Sequence, residues 1–317
     1  MEAIPANRRP KLAETYEELR PLLFSIAYRM LGSVAEAEDV VQDAFLRYEG
    51  AVERSGEIDS PKAYLSAVTT RLAIDELRSA RVRREQYVGE WLPEPLLTDE
   101  SALDGARYVE QADSLSMAFL LVLERLTPVE RAVFLLHDVF DYGYDEVARI
   151  VDKSEANCRQ LAVRARRHVA EEKPRFETSR QRRDEIADRF FDALGEGDME
   201  SLVEILAADV VVYGDGGGKV RGSWPRPIVG RDRVARLFEA FGVTRQLGIT
   251  TQRAEINGQP GTMFFDRDGR LINVLTIDVA DGVVQTIRSI INPDKLRHLG
   301  PLADVGALLR ELGERRG

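Results

Sequence analysis

A chain of 317 residues is long enough for two or three domains, each with its own core. Hydrophobic residues make up 44% and charged residues 31%, and no run approaches membrane-span length, so the expectation is a globular protein of the cytoplasm with no membrane partner. One cysteine excludes an intramolecular disulfide, one cysteine with three scattered histidines argues against a zinc site, and a net charge of −10 argues against gripping nucleic acid by bulk charge alone.

Residues 1–15 are polar, carry two prolines and read as a loose leader. Leu19, Leu22, Leu23, Ile26, Ala27 and Met30 have helical spacing up to Gly32, with Pro21 expected in the first turn. Ser33 and Glu36 form a capping box for a second helix. Its apolar positions are Val34, Ala37, Val40, Val41, Ala44, Phe45 and Tyr48, and its other face holds Glu36, Glu38, Asp39, Gln42 and Asp43. Ser60-Pro61 opens a third helix to about Glu85, with Tyr64, Leu65, Val68, Leu72 and Leu77 inward and Arg71, Arg78, Arg81, Arg83 and Arg84 in its C-terminal half. An acidic helix followed by a basic one is also what ordinary surface charge produces.

Tyr87 to Asp113 is acidic and reads as a solvated linker. Within it, Trp91-Leu92-Pro93-Glu94-Pro95 is semi-rigid and apolar, which suits docking better than solvation. Thr127 to Ala170 follows as three helices. Thr127, Pro128 and Glu130 cap the first, Asp145 to Val151 forms a short second, and Asp152-Lys153-Ser154 turns into the third. The third carries Arg159, Arg164, Arg166 and Arg167 against one early acid, Glu155, while Leu161, Ala162 and Ala165 pack inward and Cys158 serves as a small packing residue. A capped turn together with a basic stripe points to a helix-turn-helix set in a major groove; a solvated face on a helical bundle is the alternative.

After Pro174 the pattern changes. Gln181 to Leu194 is an amphipathic helix, Asp198 caps another through Leu206, Asp209 to Tyr213 is a strand broken by Gly214, and Asp232 to Phe241 is a short helix. Strands at Thr262–Asp266, Leu271–Val279 and Val283–Ile291 are joined by hairpin turns at Asp268-Gly269 and Asp281-Gly282. Helices followed by an antiparallel meander give a separate α+β domain.

The succession AEDVVQDAFLRY, SPKAYLSAVTTRLAIDELRSARVRRE, a linker and the helix-turn-helix resembles a sigma-70-type initiation factor of the extracytoplasmic-function (ECF) class over residues 16–170. The resemblance implies two all-α modules, a region 2 bundle at 16–86 and a region 4 helix-turn-helix at 114–175, with the acidic linker at 87–113 between them. It implies core RNA polymerase and promoter DNA as partners. Asp39, Gln42, Asp43 and Phe45 would meet the polymerase clamp. Arg71, Asp75, Arg78, Arg81, Arg83 and Arg84 would serve the −10 element, with Asp75, Leu77 and Arg78 matching the family's D-x-L-R pattern and Arg71 standing where asparagine is common. Arg159, Gln160, Val163 and Arg164 would lie at the −35 element, with Arg166 and Arg167 on phosphates. A factor anchored by polymerase needs only local basic strips, which accounts for the acidic net charge.

Residues 178–300 are similar to the cone-shaped SnoaL-like fold, and 301–317 form a tail helix. Trp91-Leu92-Pro93-Glu94-Pro95, Asp215-Gly216-Gly217-Gly218-Lys219 and Asn292-Pro293-Asp294-Lys295-Leu296 together resemble ECF sigma factors with a fused SnoaL-like domain. That resemblance implies regulation in cis through contacts of Trp91, Leu92 and Pro93 with Asp215, Lys219, Asn292, Asp294 and Lys295. No catalytic residue, cofactor or metal is expected, and a small ligand in the cone is left open. The rival readings are a free-standing helix-turn-helix regulator and a SnoaL-like isomerase or cyclase using Asp215 or Asp278 as base.

Overall fold

The structure is a computed structural model that describes residues 9–98, 114–172, 179–220, 224, 226–241 and 248–314; the side chains of 9–11, 81–83, 85, 172, 241 and 312–314 are outside the description. The chain forms two compact units, Met1–Glu85 with Leu120–Lys173 and Gln86–Phe119 with Pro174–Gly317.

The first unit opens with α1 (Arg9–Leu31), α2 (Val34–Ser55) and α3 (Pro61–Glu85). Helix α1 starts earlier than expected, so residues 9–15 are helical and Pro21 lies in the helix interior; residues 1–8 of the expected leader are outside the described residues. An interior proline removes one backbone hydrogen bond, and packing offsets that loss. The Tyr16 ring meets the edge of Phe45 at 4.5 Å and fixes the N-terminal half of α1 on α2. Ser33 caps α2 by accepting from the Glu36 N–H, and all seven expected apolar positions of that helix are buried. On α3 the inward set is more polar than the pattern suggested: Ser66, Thr69 and Thr70 are fully buried, while Tyr64, Val68 and Leu72 are half-buried.

After α4 (Met117–Leu123) comes α5 (Pro128–Phe134), whose capping box forms in both directions between Thr127 and Glu130. It runs into a π-helical turn, Leu135–Val139, and Asp141 takes a positive φ of 58° to end it. Helix α6 (Tyr144–Val151) ends at Asp152, also left-handed, and Ser154 accepts from the Asn157 N–H to start α7 (Glu155–Glu172). Cys158, Ala162 and Ala165 are fully buried, letting α7 pack close, and Cys158 is a packing residue as expected.

The second unit has α8 (Arg180–Glu196), capped by Ser179, and α9 (Met199–Ile205), capped by Asp198. A six-stranded sheet follows: β1 (Leu206–Asp215), β2 (Ile228–Val229), then after α10 (Arg231–Phe241) the strands β3 (Thr250–Ile256), β4 (Gln259–Phe265), β5 (Leu271–Ala280) and β6 (Val283–Ile290). The order is β2-β1-β6-β5-β4-β3, antiparallel except that β1 pairs parallel with β6. The sheet is therefore mixed: the meander covers β3 to β6, and the long crossover through α10 and the hairpins returns the chain parallel to β1. Phe190 of α8, Leu202 of α9 and Val234 of α10 close one face over Val210, Val212, Ile277 and Ile287. Strand β1 is not broken at Gly214; a Cβ there would strike the Trp224 indole, so glycine admits that ring. Asn257-Gly258 (φ 55° and 69°) and Asp281-Gly282 (53° and 78°) turn the β3–β4 and β5–β6 hairpins with both residues left-handed, as type I′ turns require, while only Gly269 is left-handed in the β4–β5 turn. The chain ends in α11 (Pro293–Leu296) and α12 (Val305–Glu314).

Candidate functional site

On α7, Arg159, Gln160, Val163, Arg164, Arg166 and Arg167 are all exposed, with Val163 at 62%. The arginines pair with acidic side chains: Arg159 with Glu155 at 2.8 Å, Arg164 with the buried Glu130 at 3.4 Å, Arg166 with Asp138 at 2.7 Å and Arg167 with Glu171 at 4.0 Å, while Arg159 and Arg166 also meet Tyr144. The guanidiniums themselves are exposed, so these ties are weak and can be exchanged for phosphates or guanine edges. Gln160 and Arg164 stand one turn apart on the same side.

On α2, Asp39, Gln42 and Asp43 are exposed in one strip. Phe45, grouped with them from sequence, is instead core: its ring packs on Tyr16 and Tyr48, so it braces the strip from behind. On α3, Asp75 and Arg78 form an exposed pair at 2.9 Å. Arg71 donates Nε to the Ile150 carbonyl and Nη2 to the Arg149 carbonyl, both at 2.8 Å, at the C-terminal end of α6 where the helix dipole is negative. The Ser66 and Tyr142 hydroxyls meet at 2.8 Å in the buried layer of the same junction. The side chains of Arg81 and Arg83 are outside the described residues.

Arg84, expected on DNA, is drawn inward. Its guanidinium donates to the Leu31 carbonyl at 2.6 Å and pairs with Glu124. Glu124 also receives Arg131 at 2.6 Å, and Arg131, only 2% exposed, caps the end of α1 through the Met30 carbonyl at 2.6 Å. Burial alone would raise the Glu124 carboxyl; the two guanidiniums outweigh it and hold the group below its ordinary value. Arg84 is thereby a splice between the first three helices and the helix-turn-helix segment, with its side chain only 16% exposed.

In the second unit, residues 86–98 and 114–119 of the connector pack on the α+β domain. Asp215, fully buried at the end of β1, accepts from the Tyr87 hydroxyl, from the Leu92 N–H at 2.9 Å and from the Lys295 ammonium at 2.6 Å. Lys295 also donates to the Leu92 carbonyl and lies 4.4 Å from the Trp91 ring and 4.8 Å from the Tyr87 ring. Asn292 donates to the Tyr87 oxygen at 2.8 Å, and His298 meets the Pro95 carbonyl at 2.7 Å. Burial, then the Asp215 carboxylate, pushes the Tyr87 phenol far up, so it stays a donor. Gly217 and Gly218 have positive φ, and a Cβ on either would run into Asn292 or Val88, so the glycines admit the connector backbone. Lys219 pairs with Asp294 at the rim. The structure thus brings Leu92 and Trp91 to Asp215 and Lys295, and adds Tyr87 and His298, which sequence reasoning passed over. Tyr87 lies in the acidic stretch outside the Trp91 motif and gave no local signal.

An open cavity of about 720 Å³ is floored by Phe191, Phe238 and Phe264 and edged by Arg253 and Glu239. Neither carboxylate considered as a base lines it: Asp215 is committed to the connector, and Asp278 is buried against Arg288 at 2.6 Å. Among the described residues no cluster could hold a metal ion and no helix is long and apolar enough to cross a membrane.

Comparison with known proteins agrees with this division. The sigma-70 region 2 family matches residues 15–83, sigma-70 region 4 matches 116–169, and the SnoaL-like domain family matches 187–290. The chain belongs to the sigma-70 family as an extracytoplasmic-function sigma factor carrying a C-terminal SnoaL-like domain. It is 38% identical to ECF RNA polymerase sigma factor SigJ of Mycobacterium tuberculosis, over 88% of this chain and 91% of the other. It is 32% identical to the probable sigma factor SigI of that organism, over 87% and 92%. The crystal structure of SigJ matches with a TM-score of 0.70 at 36% identity, over 92% of this chain and all of the other. The protein is thus an alternative sigma factor directing transcription initiation.

Proposed function

We propose that this sigma factor is restrained in cis by the docking of its connector on the SnoaL-like domain, and that it performs no chemistry of its own. The observation that carries the reading is the Asp215 carboxylate, which gathers Tyr87, Leu92 and Lys295 around one buried point. Within the first unit the same closed state occupies Arg71 with α6 carbonyls, so the −10 helix is not fully free while the modules stay packed. Core polymerase and promoter DNA are the partners: Asp39, Gln42 and Asp43 meet the polymerase, Arg78 with Arg81 and Arg83 serves the −10 element, and Gln160, Val163 and Arg164 read the −35 element. Releasing the connector frees the two modules to separate onto DNA. A small molecule in the 720 Å³ cavity would shift this balance only by binding one arrangement better than the other.

Run-off transcription with purified core polymerase tests the reading. Asp215→Asn should raise transcription from the cognate promoter several-fold at limiting factor, because the Lys295 side chain loses its counter-charge and the connector its anchor. Equal transcription from both proteins removes the restraint. Charge reversal at Asp39 and Asp43 should abolish co-purification with core polymerase while the circular dichroism spectrum is kept.

A further inference from the structure

The connector has a second anchor, away from Asp215, in a turn that none of the three pentapeptide motifs includes. Asn257 sits at the tip of the β3–β4 hairpin, fully buried, with φ 55°. Its backbone N–H donates to the Leu96 carbonyl at 2.8 Å. Its side-chain oxygen accepts from the Leu96 N–H at 3.0 Å, and its side-chain nitrogen donates to the Leu115 carbonyl at 3.0 Å. One amide therefore holds two connector positions on either side of residues 99–113. Around it, the Thr98 N–H donates to the Glu255 carbonyl at 3.0 Å, the Thr98 hydroxyl donates to the Glu255 carboxylate at 2.7 Å, and the Gly258 N–H donates to that hydroxyl at 3.0 Å. Leu97 pairs with Ile256 as an isolated antiparallel bridge, so this part of the connector lengthens the sheet edge.

We propose that the Asn257-Gly258 turn is a length lock on the connector: it fixes Leu96 and Leu115 at one side chain and so withholds the chain between them from the span available to the two sigma modules. The scale of the effect is large. From Leu96 to Leu115 is about twenty residues, which would reach about 65 Å if extended, and joining both ends to one amide reduces that reach to a few ångströms. A polar clasp suits a reversible lock, because each of its hydrogen bonds can be replaced by one to water at small net cost. The β3–β4 hairpin also borders the cavity through Thr251, Arg253, Thr262 and Phe264, so the lock stands on the one hairpin shared by both features. This inference rests on the connector-docking reading and adds a separate site to it.

The test uses the full-length protein with core polymerase. Asn257→Gly keeps a residue suited to positive φ while deleting both amide bonds, and Thr98→Val removes the neighbouring hydroxyl from the connector side without touching the domain. In hydrogen exchange, both variants should speed exchange at residues 96–98 by about tenfold, and Asn257→Gly should do so at 115–117 as well, while 87–92 keep their protection. On templates whose −10 to −35 spacer is lengthened by a few base pairs, both variants should transcribe several-fold better than the unaltered protein and equally well at the natural spacing. Unchanged exchange at 96–98, or an unchanged spacer preference, overturns the lock. Loss of protection at 87–92 as well would show one dock rather than two and also overturn it. If Asp215→Asn leaves transcription unaltered while Asn257→Gly still relaxes the spacer, the restraint through Asp215 fails and the lock survives.

Discussion

Glu124 in the first unit and Asp215 in the second each draw partners from distant parts of the chain, yet what they join differs. Glu124 receives two guanidiniums whose other donors cap helix ends at Met30 and Leu31, and its side chain keeps 23% exposure. Asp215 is fully buried and binds a segment, Tyr87 to Leu92, that has no helix or strand of its own. A helix that loses one tie keeps its internal hydrogen bonds. An irregular segment takes its order from the surface it lies on, so losing one buried anchor frees all of it. On the proposed reading, the first arrangement persists and the second is the one that lets go.

The largest expected effect follows from that difference. Asp215→Ala leaves the Lys295 ammonium buried among aromatic rings with no counter-ion, which costs about 3–5 kcal/mol in comparable buried pairs. Urea denaturation should show the loss in the second unit, and hydrogen exchange should report Tyr87 to Pro95 opening with it. A cost below about 1 kcal/mol would mean that the connector is held by its apolar contacts, not by the carboxylate.

Glu124→Gln is the matched change in the first unit, and about 2 kcal/mol is expected, because the site is part-exposed and a neutral oxygen still accepts from Arg131. Its pH dependence has a definite sign. The folded carboxyl lies below its ordinary value of 4.5, so the stability it contributes is present above that pH and is lost as the pH falls through the folded value. The unaltered protein should therefore lose stability on acidification below about pH 4.5 more steeply than Glu124→Gln, as read by thermal unfolding across the acid range. Parallel curves would show that the carboxylate is not the group being titrated.

Much of the first unit was legible because its signals are local. The Thr127–Glu130 box, the Asp152 to Ser154 turn and the apolar stripe of α2 are spacings of three and four residues, and each formed where expected. What stayed hidden is long-range. Nothing near Arg84 in the sequence says that it turns inward to Glu124, or that Phe45 is held by Tyr16, because those partners lie far along the chain. Strands β2 and β3 escaped notice for another reason: β2 has two residues, and β3 is an edge strand with Thr250 to Arg253 exposed, so neither shows a clean alternation. Asn257-Gly258 is a strong hairpin signal that only makes sense once β3 is recognised. The connector motif was readable as something that docks, since a tryptophan between acids and prolines has no reason to stay in water.

The two candidate DNA helices supply the smaller effects. Arg164→Ala should leave folding stability nearly unchanged, since its guanidinium is exposed, its tie to Glu130 is long at 3.4 Å, and Glu130 keeps its bonds from Thr127. It should cost about 1–3 kcal/mol in promoter binding and relax preference at one base pair of the −35 element. Arg166→Ala and Arg167→Ala should weaken all sequences alike and flatten the salt dependence. A uniform loss for Arg164→Ala would place that residue with the phosphate contacts.

Arg71 should show the reverse pattern, and it isolates what the closed arrangement costs. Its guanidinium makes two hydrogen bonds to carbonyls at the negative end of α6, in a part-exposed site, so Arg71→Ala should lower the stability of the first unit by only about 1 kcal/mol. The same change also loosens the junction that keeps α3 against the helix-turn-helix. If Arg71 touches −10 DNA after the modules separate, the substitution lowers opening of a supercoiled promoter even when the connector is already released by Asp215→Asn. If its role is confined to closure, the substitution raises opening in the unaltered background and has no effect in the released one. The double substitution therefore separates a DNA contact from a latch, and permanganate reactivity at the −10 element reads the two outcomes with opposite signs.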